Sequence, residues 1–241
     1  MEKEKVLGFD VCNISEQELI EEIFKDYNNN IQNAIINVNP EIVINNYKDK
    51  KIVESFNAQK YQIPDGIGIV YASKINKGKI RNRITGIDLL YKLCEEAVKH
   101  NSRVFLYGTQ QEIIDKAKIE LESQYKGLNI VGTCNGFTDE NVVVERIKET
   151  KPDILFIGTG SPKQEKFILN NKEKLSTIKI FLPVGGSFDV ISKTLKRAPN
   201  WITKINLEWL YRLFQEPKRF FRQVKLFKFL YCVIVERFKN K

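Results

Sequence analysis

Ile154-Leu155-Phe156-Ile157-Gly158-Thr159-Gly160-Ser161-Pro162-Lys163-Gln164-Glu165 is the stretch on which the fold turns. Four apolar residues run into two closely spaced glycines, and a proline then opens a helix-like segment. The run is short and bounded by Gly and Pro, so it reads as a strand rather than as part of a helix. Pro162 suits the first helical turn, where its missing N–H does no harm. The free N–H groups and dipole of that helix then face whatever lies past the strand end, an arrangement suited to phosphate. The spacing lacks the third glycine of the dinucleotide fingerprint. Taken alone, a glycine-rich turn with no ligand explains the stretch as well.

Similar units lie on either side. Apolar runs at Val104-Phe105-Leu106-Tyr107, Leu128-Asn129-Ile130-Val131 and Ile178-Lys179-Ile180-Phe181-Leu182 are followed by Gly108, Gly132 and Gly185. Helix-like stretches fill 110–124, 138–150 and 162–174. Nearer the N-terminus, Ala34-Ile35-Ile36-Asn37-Val38 reads as a strand with a helix from about Pro40. A short strand at Tyr61-Gln62-Ile63 leads through Pro64-Asp65-Gly66 to a helix over 67–75. Strands alternating with helices predict an α/β fold built on a parallel sheet, with glycines at its carboxyl edge where backbone can approach a ligand.

The 241 residues, 42% hydrophobic and 29% charged, suit one substantial domain with a smaller appendage and exclude a disordered or fibrous chain. Cys12, Cys94, Cys134 and Cys232 are scattered without a CxxC pair, as expected of reduced cytosolic thiols. The polar start, Met1-Glu2-Lys3-Glu4-Lys5, does not read as a secretory signal. Charge is concentrated at the end: residues 201–241 hold ten Lys/Arg against three Glu, leaving 29 basic and 27 acidic residues in 1–200. A nearly neutral body speaks against nucleic acid and points to a local anionic partner for the tail.

The chain therefore divides into a core, 1–200, and a basic appendage, 201–241. In the appendage, Arg and Lys alternate with Phe220, Phe221, Phe227, Phe229, Tyr231 and Phe238, and the longest apolar run, Phe229 to Val235, is far short of the ~20 residues that span a bilayer. A basic amphipathic helix lying on an anionic membrane surface fits this pattern; a helix packing its apolar side on the body is the other reading.

Few residues single themselves out for chemistry. On turn preferences Pro64-Asp65-Gly66 is an ordinary tight turn, and Arg81 and Arg83 fit a solvated loop. His100, the sole histidine, fits the end of a helix. No Asp-x-Asp occurs, so the usual carboxylate pair for a metal–nucleotide complex is missing.

Eight motifs in order resemble the WecG/TagA/CpsF glycosyltransferase family. They are Asn37-Val38-Asn39-Pro40-Glu41, Pro64-Asp65-Gly66-Ile67-Gly68, Arg83-Ile84-Thr85-Gly86-Ile87-Asp88-Leu89, Gly158 to Glu165, Gly185-Gly186-Ser187-Phe188-Asp189, Arg197-Ala198-Pro199, Leu207 to Leu213 and Glu216-Pro217-Lys218-Arg219. The resemblance implies a Rossmann-like parallel sheet flanked by helices. It also implies inverting transfer of N-acetylmannosamine, or a related sugar, from a UDP-sugar to N-acetylglucosamine on undecaprenyl diphosphate, in cell-surface polymer synthesis such as wall teichoic acid.

On that resemblance Asp65 is the base, with Asn37 and Arg83 at the catalytic centre and Asn39 on the acceptor side. Gly158, Gly160, Ser161, Gln164, Gly185 and Gly186 fall to the donor, and Arg212, Arg219 and Arg222 of the appendage to its diphosphate. No metal or other cofactor is expected. The expected location is cytoplasmic, peripheral on the inner face of a bacterial membrane. Asn37 stands where the family commonly has Thr, which bears on the sugar more than on the reaction class. A nicotinamide-dependent oxidoreductase and a non-enzymatic binder of membrane or nucleic acid are the alternatives. The donor sugar, the polymer and a homo-oligomer are left open.

Overall fold

The computed structural model describes residues 1–216 and 220–239, with only the backbone described at 200, 220–223 and 239. The chain opens on an antiparallel hairpin, β1 (Lys3–Val6) and β2 (Phe9–Cys12). Its turn residues Leu7 and Gly8 both have positive φ, 49° and 88°, which matches the twist of a two-residue hairpin. Helix α1 (Glu16–Asn28) starts from a capping box: Ser15 Oγ accepts from the Glu18 N–H while the Glu18 carboxylate accepts from the Ser15 N–H.

The body follows as β3 (Asn33–Val38), α2 (Pro40–Asn46), α3 (Lys50–Asn57), β4 (Tyr61–Pro64), α4 (Ile67–Ile75) and α5 (Gly86–Lys99). It continues through β5 (Arg103–Gly108), α6 (Gln111–Gln124), β6 (Asn129–Cys134), α7 (Glu140–Thr150), β7 (Ile154–Gly158), α8 (Lys163–Asn171), β8 (Ile180–Pro183) and α9 (Ser187–Ile191). The tail is helical: α10 (Asn200–Lys204), α11 (Glu208–Gln215) and α12 (Phe220–Lys239).

Strands β3 to β8 form a parallel six-stranded sheet in the order β4-β3-β8-β7-β5-β6. Val104, Leu106, Ile154, Phe156, Ile180 and Leu182 share one buried cluster with Leu19 and Ile23 of α1, Leu90 and Leu93 of α5 and Ile114 of α6. Their strand neighbours Phe105, Tyr107, Leu155, Ile157 and Phe181 join the opposite cluster with Val143 and Ile147 of α7 and Phe167 and Ile168 of α8. Successive side chains point to opposite faces, and both faces are covered, so these strands appear in the sequence as unbroken apolar runs.

Three local expectations change. Gly132 lies inside β6, which runs on to Cys134, and marks the irregularity in its register with β5; the Phe105 ring lies where a Cβ would be. The helix expected over 162–174 ends at Asn171. The tail helix packs part of its apolar side on the body and leaves the rest exposed. Phe229 and Val233 of α12 are buried with Ile42 and Val43 of α2 and Ile69 and Ala72 of α4, whereas Val224, Phe227, Tyr231, Ile234 and Phe238 are exposed. Among the described residues no helix is long and apolar enough to cross a membrane.

Candidate active site

The strand order brings the turns after β4, β3, β8 and β7 side by side at the carboxyl edge of the sheet. A cavity of about 500 Å³ opens there, floored by these turns and flanked by Trp209 and Arg212 of α11 and Leu226 of α12. Asn37, Asn39, Asp65, Arg83, Gly158, Gly160, Ser161, Gln164, Gly185, Gly186 and Arg212 all line it. Of the sequence candidates, Arg219 and the side chain of Arg222 lie outside the described residues.

Backbone pairing sets Asp65 in place. Its N–H donates to the Val38 carbonyl at 2.9 Å, extending the β3–β4 ladder by one residue, and the Ile84 N–H donates to Pro64 at 3.0 Å, which draws the Arg83 loop alongside. Asn39 caps α2 by accepting from the Ile42 N–H at 2.9 Å, and its side chain also hydrogen-bonds the Asp65 carboxyl. Burial pushes that carboxyl up from the usual aspartate range to about 6. The Asn39 hydrogen bond and the charges of Arg83 and Arg212 pull in the opposite direction, while Glu208 reinforces the rise.

Asn37 follows from the β3 register. Its Nδ2 donates to the Pro183 carbonyl at the end of β8, 2.8 Å away, leaving Oδ1 buried without a hydrogen-bond partner. Thr159 Oγ1, on the glycine turn, is in the same condition. Unmet acceptors at a cavity wall are places where a ligand's N–H or O–H can be held. Glycine is needed on this turn for two different reasons. Gly158 has the Phe188 ring 2.6 Å from where its Cβ would be, and Gly160 has φ of +81°.

Gln164 lines the cavity from within the wall. Its Oε1 accepts from the Gly185 N–H at 3.1 Å and its Nε2 donates to Glu165 at 2.8 Å, so the buried amide ties the start of α8 to the Gly185-Gly186 turn. Glu165 is itself buried, which raises its carboxyl above the usual range against the pull of the Gln164 hydrogen bond. Near the cavity, Thr85 caps α5 and donates to Asp88 at 2.6 Å, and Asp88 is paired with Arg197.

The tail supplies residues that the sequence did not single out. Glu208, at the start of α11 and buried, has Oε2 3.8 Å from Arg83 Nη2 and Oε1 3.9 Å from Arg212 Nε. Trp209, Thr85 and Asp189 also reach the wall. The i,i+4 spacing of Glu208 and Arg212 was the available signal, but such a pair usually sits on a solvated helix face. His100 caps the end of α5 and stacks on Phe24, away from the cavity. Among the described residues, no three His, Cys, Asp or Glu side chains gather where a metal could be held.

A family model described as the glycosyl transferase WecG/TagA/CpsF family matches residues 4–241. The chain belongs to that family. Members from Bacillus subtilis (strain 168) and Staphylococcus aureus (strain MW2) are similar over the whole length. The first is 34% identical over 243 residues, spanning 100% of this chain and 94% of its own. The second is 32% identical over 243 residues, spanning 99% and 95%. Both are named N-acetylglucosaminyldiphosphoundecaprenol N-acetyl-beta-D-mannosaminyltransferase. In this WecG/TagA/CpsF glycosyltransferase the motifs at Asn37, Asp65, Gly158 and Gly185, far apart in sequence, meet in one cavity because they occupy the ends of adjacent strands.

Proposed function

We propose that this glycosyltransferase moves N-acetylmannosamine, or a closely related sugar, from UDP to N-acetylglucosamine on undecaprenyl diphosphate, with inversion at the anomeric carbon. The names of its relatives support this acceptor and sugar. The observation that carries the mechanism is that Asp65, raised to about 6, shares one cavity with the glycine turns and with Arg83 and Arg212. A carboxylate of that basicity is ionised at neutral pH and is a stronger proton acceptor than an ordinary aspartate.

In this scheme Asp65 takes the proton of the acceptor hydroxyl as its oxygen bonds to the anomeric carbon. The bond from that carbon to the UDP oxygen breaks, and UDP leaves with the electron pair. Arg83, Arg212 and the N–H groups of the Gly158–Ser161 turn meet the charge that grows on the diphosphate. No metal is assigned a part. Asn37 Oδ1 and Thr159 Oγ1 are placed to accept from the sugars.

The exposed stripe of α12 and its Lys228 and Arg237 would lie on the anionic inner leaflet, bringing the cavity to the lipid-borne acceptor. On this reading the protein works at the cytoplasmic face of the membrane. The test is transfer from UDP-N-acetylmannosamine to a short-chain lipid-diphosphate N-acetylglucosamine, read by mass spectrometry. Wild-type protein gives the disaccharide lipid, and Asp65→Asn, folded by its melting curve, gives almost none. Equal turnover by the two proteins would remove Asp65 as base, and no product from either would remove the reaction.

A further inference from the structure

The cavity's two described arginines come from different parts of the chain: Arg83 from the loop leading into α5, and Arg212 from the second turn of α11. Two guanidiniums lining one cavity repel each other, and Glu208 answers that repulsion. Its carboxylate is buried, and its two oxygens face different arginines, Oε2 towards Arg83 at 3.8 Å and Oε1 towards Arg212 at 3.9 Å. These separations are those of ion pairs rather than hydrogen bonds. A buried carboxylate shared between two cations fixes their direction more firmly than a solvated pair would, because removing it leaves uncompensated charge.

We propose that Glu208 is a positioning residue that holds Arg83 of the body and Arg212 of the tail as one paired clamp facing the donor's diphosphate. The proposal rests on reading this cavity as the site of base-catalysed transfer from a nucleoside-diphosphate sugar. It makes α11 part of the active site rather than a mere cover, since Glu208, which faces both arginines, is a tail residue.

The same carboxylate acts on the base. The groups acting on Asp65 are Arg83, Arg212, Glu208 and Asn39, the cap of α2, and the cavity they share also holds Glu41 on α2 and Asp189 on α9; Glu41 is paired with Lys225 of α12 at 3.1 Å. Within this set Glu208 opposes ionisation of Asp65. Taking away its charge therefore makes Asp65 more acidic, and the pH at which the enzyme loses activity on acidification moves down.

The deciding experiment measures kcat/KM for the UDP-sugar against pH in wild type, Glu208→Gln, Glu208→Asp, Arg83→Lys and the Glu208→Gln/Arg83→Lys double variant, with melting curves for each. Glu208→Gln should lose about tenfold in kcat/KM and shift its acid limb to lower pH. Glu208→Asp keeps the charge, so its limb should stay at the wild-type position. The double variant should lose less than the product of the two single losses, because both changes break the same unit. An unmoved limb in Glu208→Gln, or fully multiplicative losses, would overturn the proposal. If wild type itself showed no acid limb, or Asp65→Asn were fully active, the fault would lie with the base assignment instead.

Discussion

The sheet edge and the helical tail both line the cavity, yet they are built in contrary ways. At the sheet edge, Asp65 is fixed by a backbone hydrogen bond that continues a ladder, and Asn37 by a strand register; both depend on a core buried on two faces. The tail reaches the cavity from outside the sheet, through Glu208, Trp209, Arg212 and Leu226 among its described residues, and leaves much of α12 facing outward. The difference separates two tasks. A buried edge raises the basicity of a carboxylate, and the tail adds the cation of Arg212 to the cavity.

The first way to break the comparison is at the edge. Asp65→Asn should lower kcat about 1,000-fold, the usual scale for loss of a general base, with little change in affinity for UDP by calorimetry. The tail should fail less severely: Arg212→Ala should cost about 100-fold in kcat/KM and weaken UDP binding, the effect that Asp65→Asn lacks. A loss confined to kcat in the Arg212 variant would erase the division between the two regions.

Stability should respond in the opposite direction to activity. Because the folded-state value of Asp65 lies above its ordinary one, the folded protein holds a proton more tightly than the unfolded chain. Folding stability from this group is then complete below the ordinary aspartate value of about 4 and declines as pH rises through about 6. Asp65→Asn should accordingly melt several degrees higher than wild type at pH 8, and the difference should close at pH 4. A lower melting temperature at pH 8 would mean that the carboxylate is structural.

Smaller effects sharpen the tail's part. Replacing Phe227 and Tyr231 together by Ser should reduce partition onto phosphatidylglycerol vesicles about tenfold while leaving transfer to a short-chain acceptor unchanged, since these side chains are exposed and outside the cavity lining. Transfer should also persist unchanged in excess chelator. Loss of activity there, restored by magnesium, would return the diphosphate charge to a cation.

The same contrast governs what could be read from sequence. The strands of the sheet were legible because burial on both faces leaves unbroken apolar runs between glycines. The hairpin of β1 and β2 was not, since four-residue strands around Leu7-Gly8 carry little pattern. Ser15 and Glu18 did announce α1, by a capping box legible in retrospect. Asp65 looked like any turn aspartate; its raised basicity comes from burial, reinforced by Glu208 and opposed by Asn39, Arg83 and Arg212, all set around it by the fold from other parts of the chain. Glu208 was hidden for the same reason: its spacing from Arg212 is that of a solvated helix pair, and only the approach of Arg83 makes it a cavity residue. For Gln164 the motif marked the place and the fold supplied the detail, an amide engaged with Gly185 and Glu165 in the cavity wall.

Most directly, kcat/KM of the wild-type enzyme should be followed from pH 4.5 to 8 with a short-chain acceptor. A carboxylate base in a desolvated site predicts a single acid limb centred near 6, absent from the residual rate of Asp65→Asn. A limb near 4, the value of an aspartate in water, or a rate indifferent to pH across the range, would contradict it.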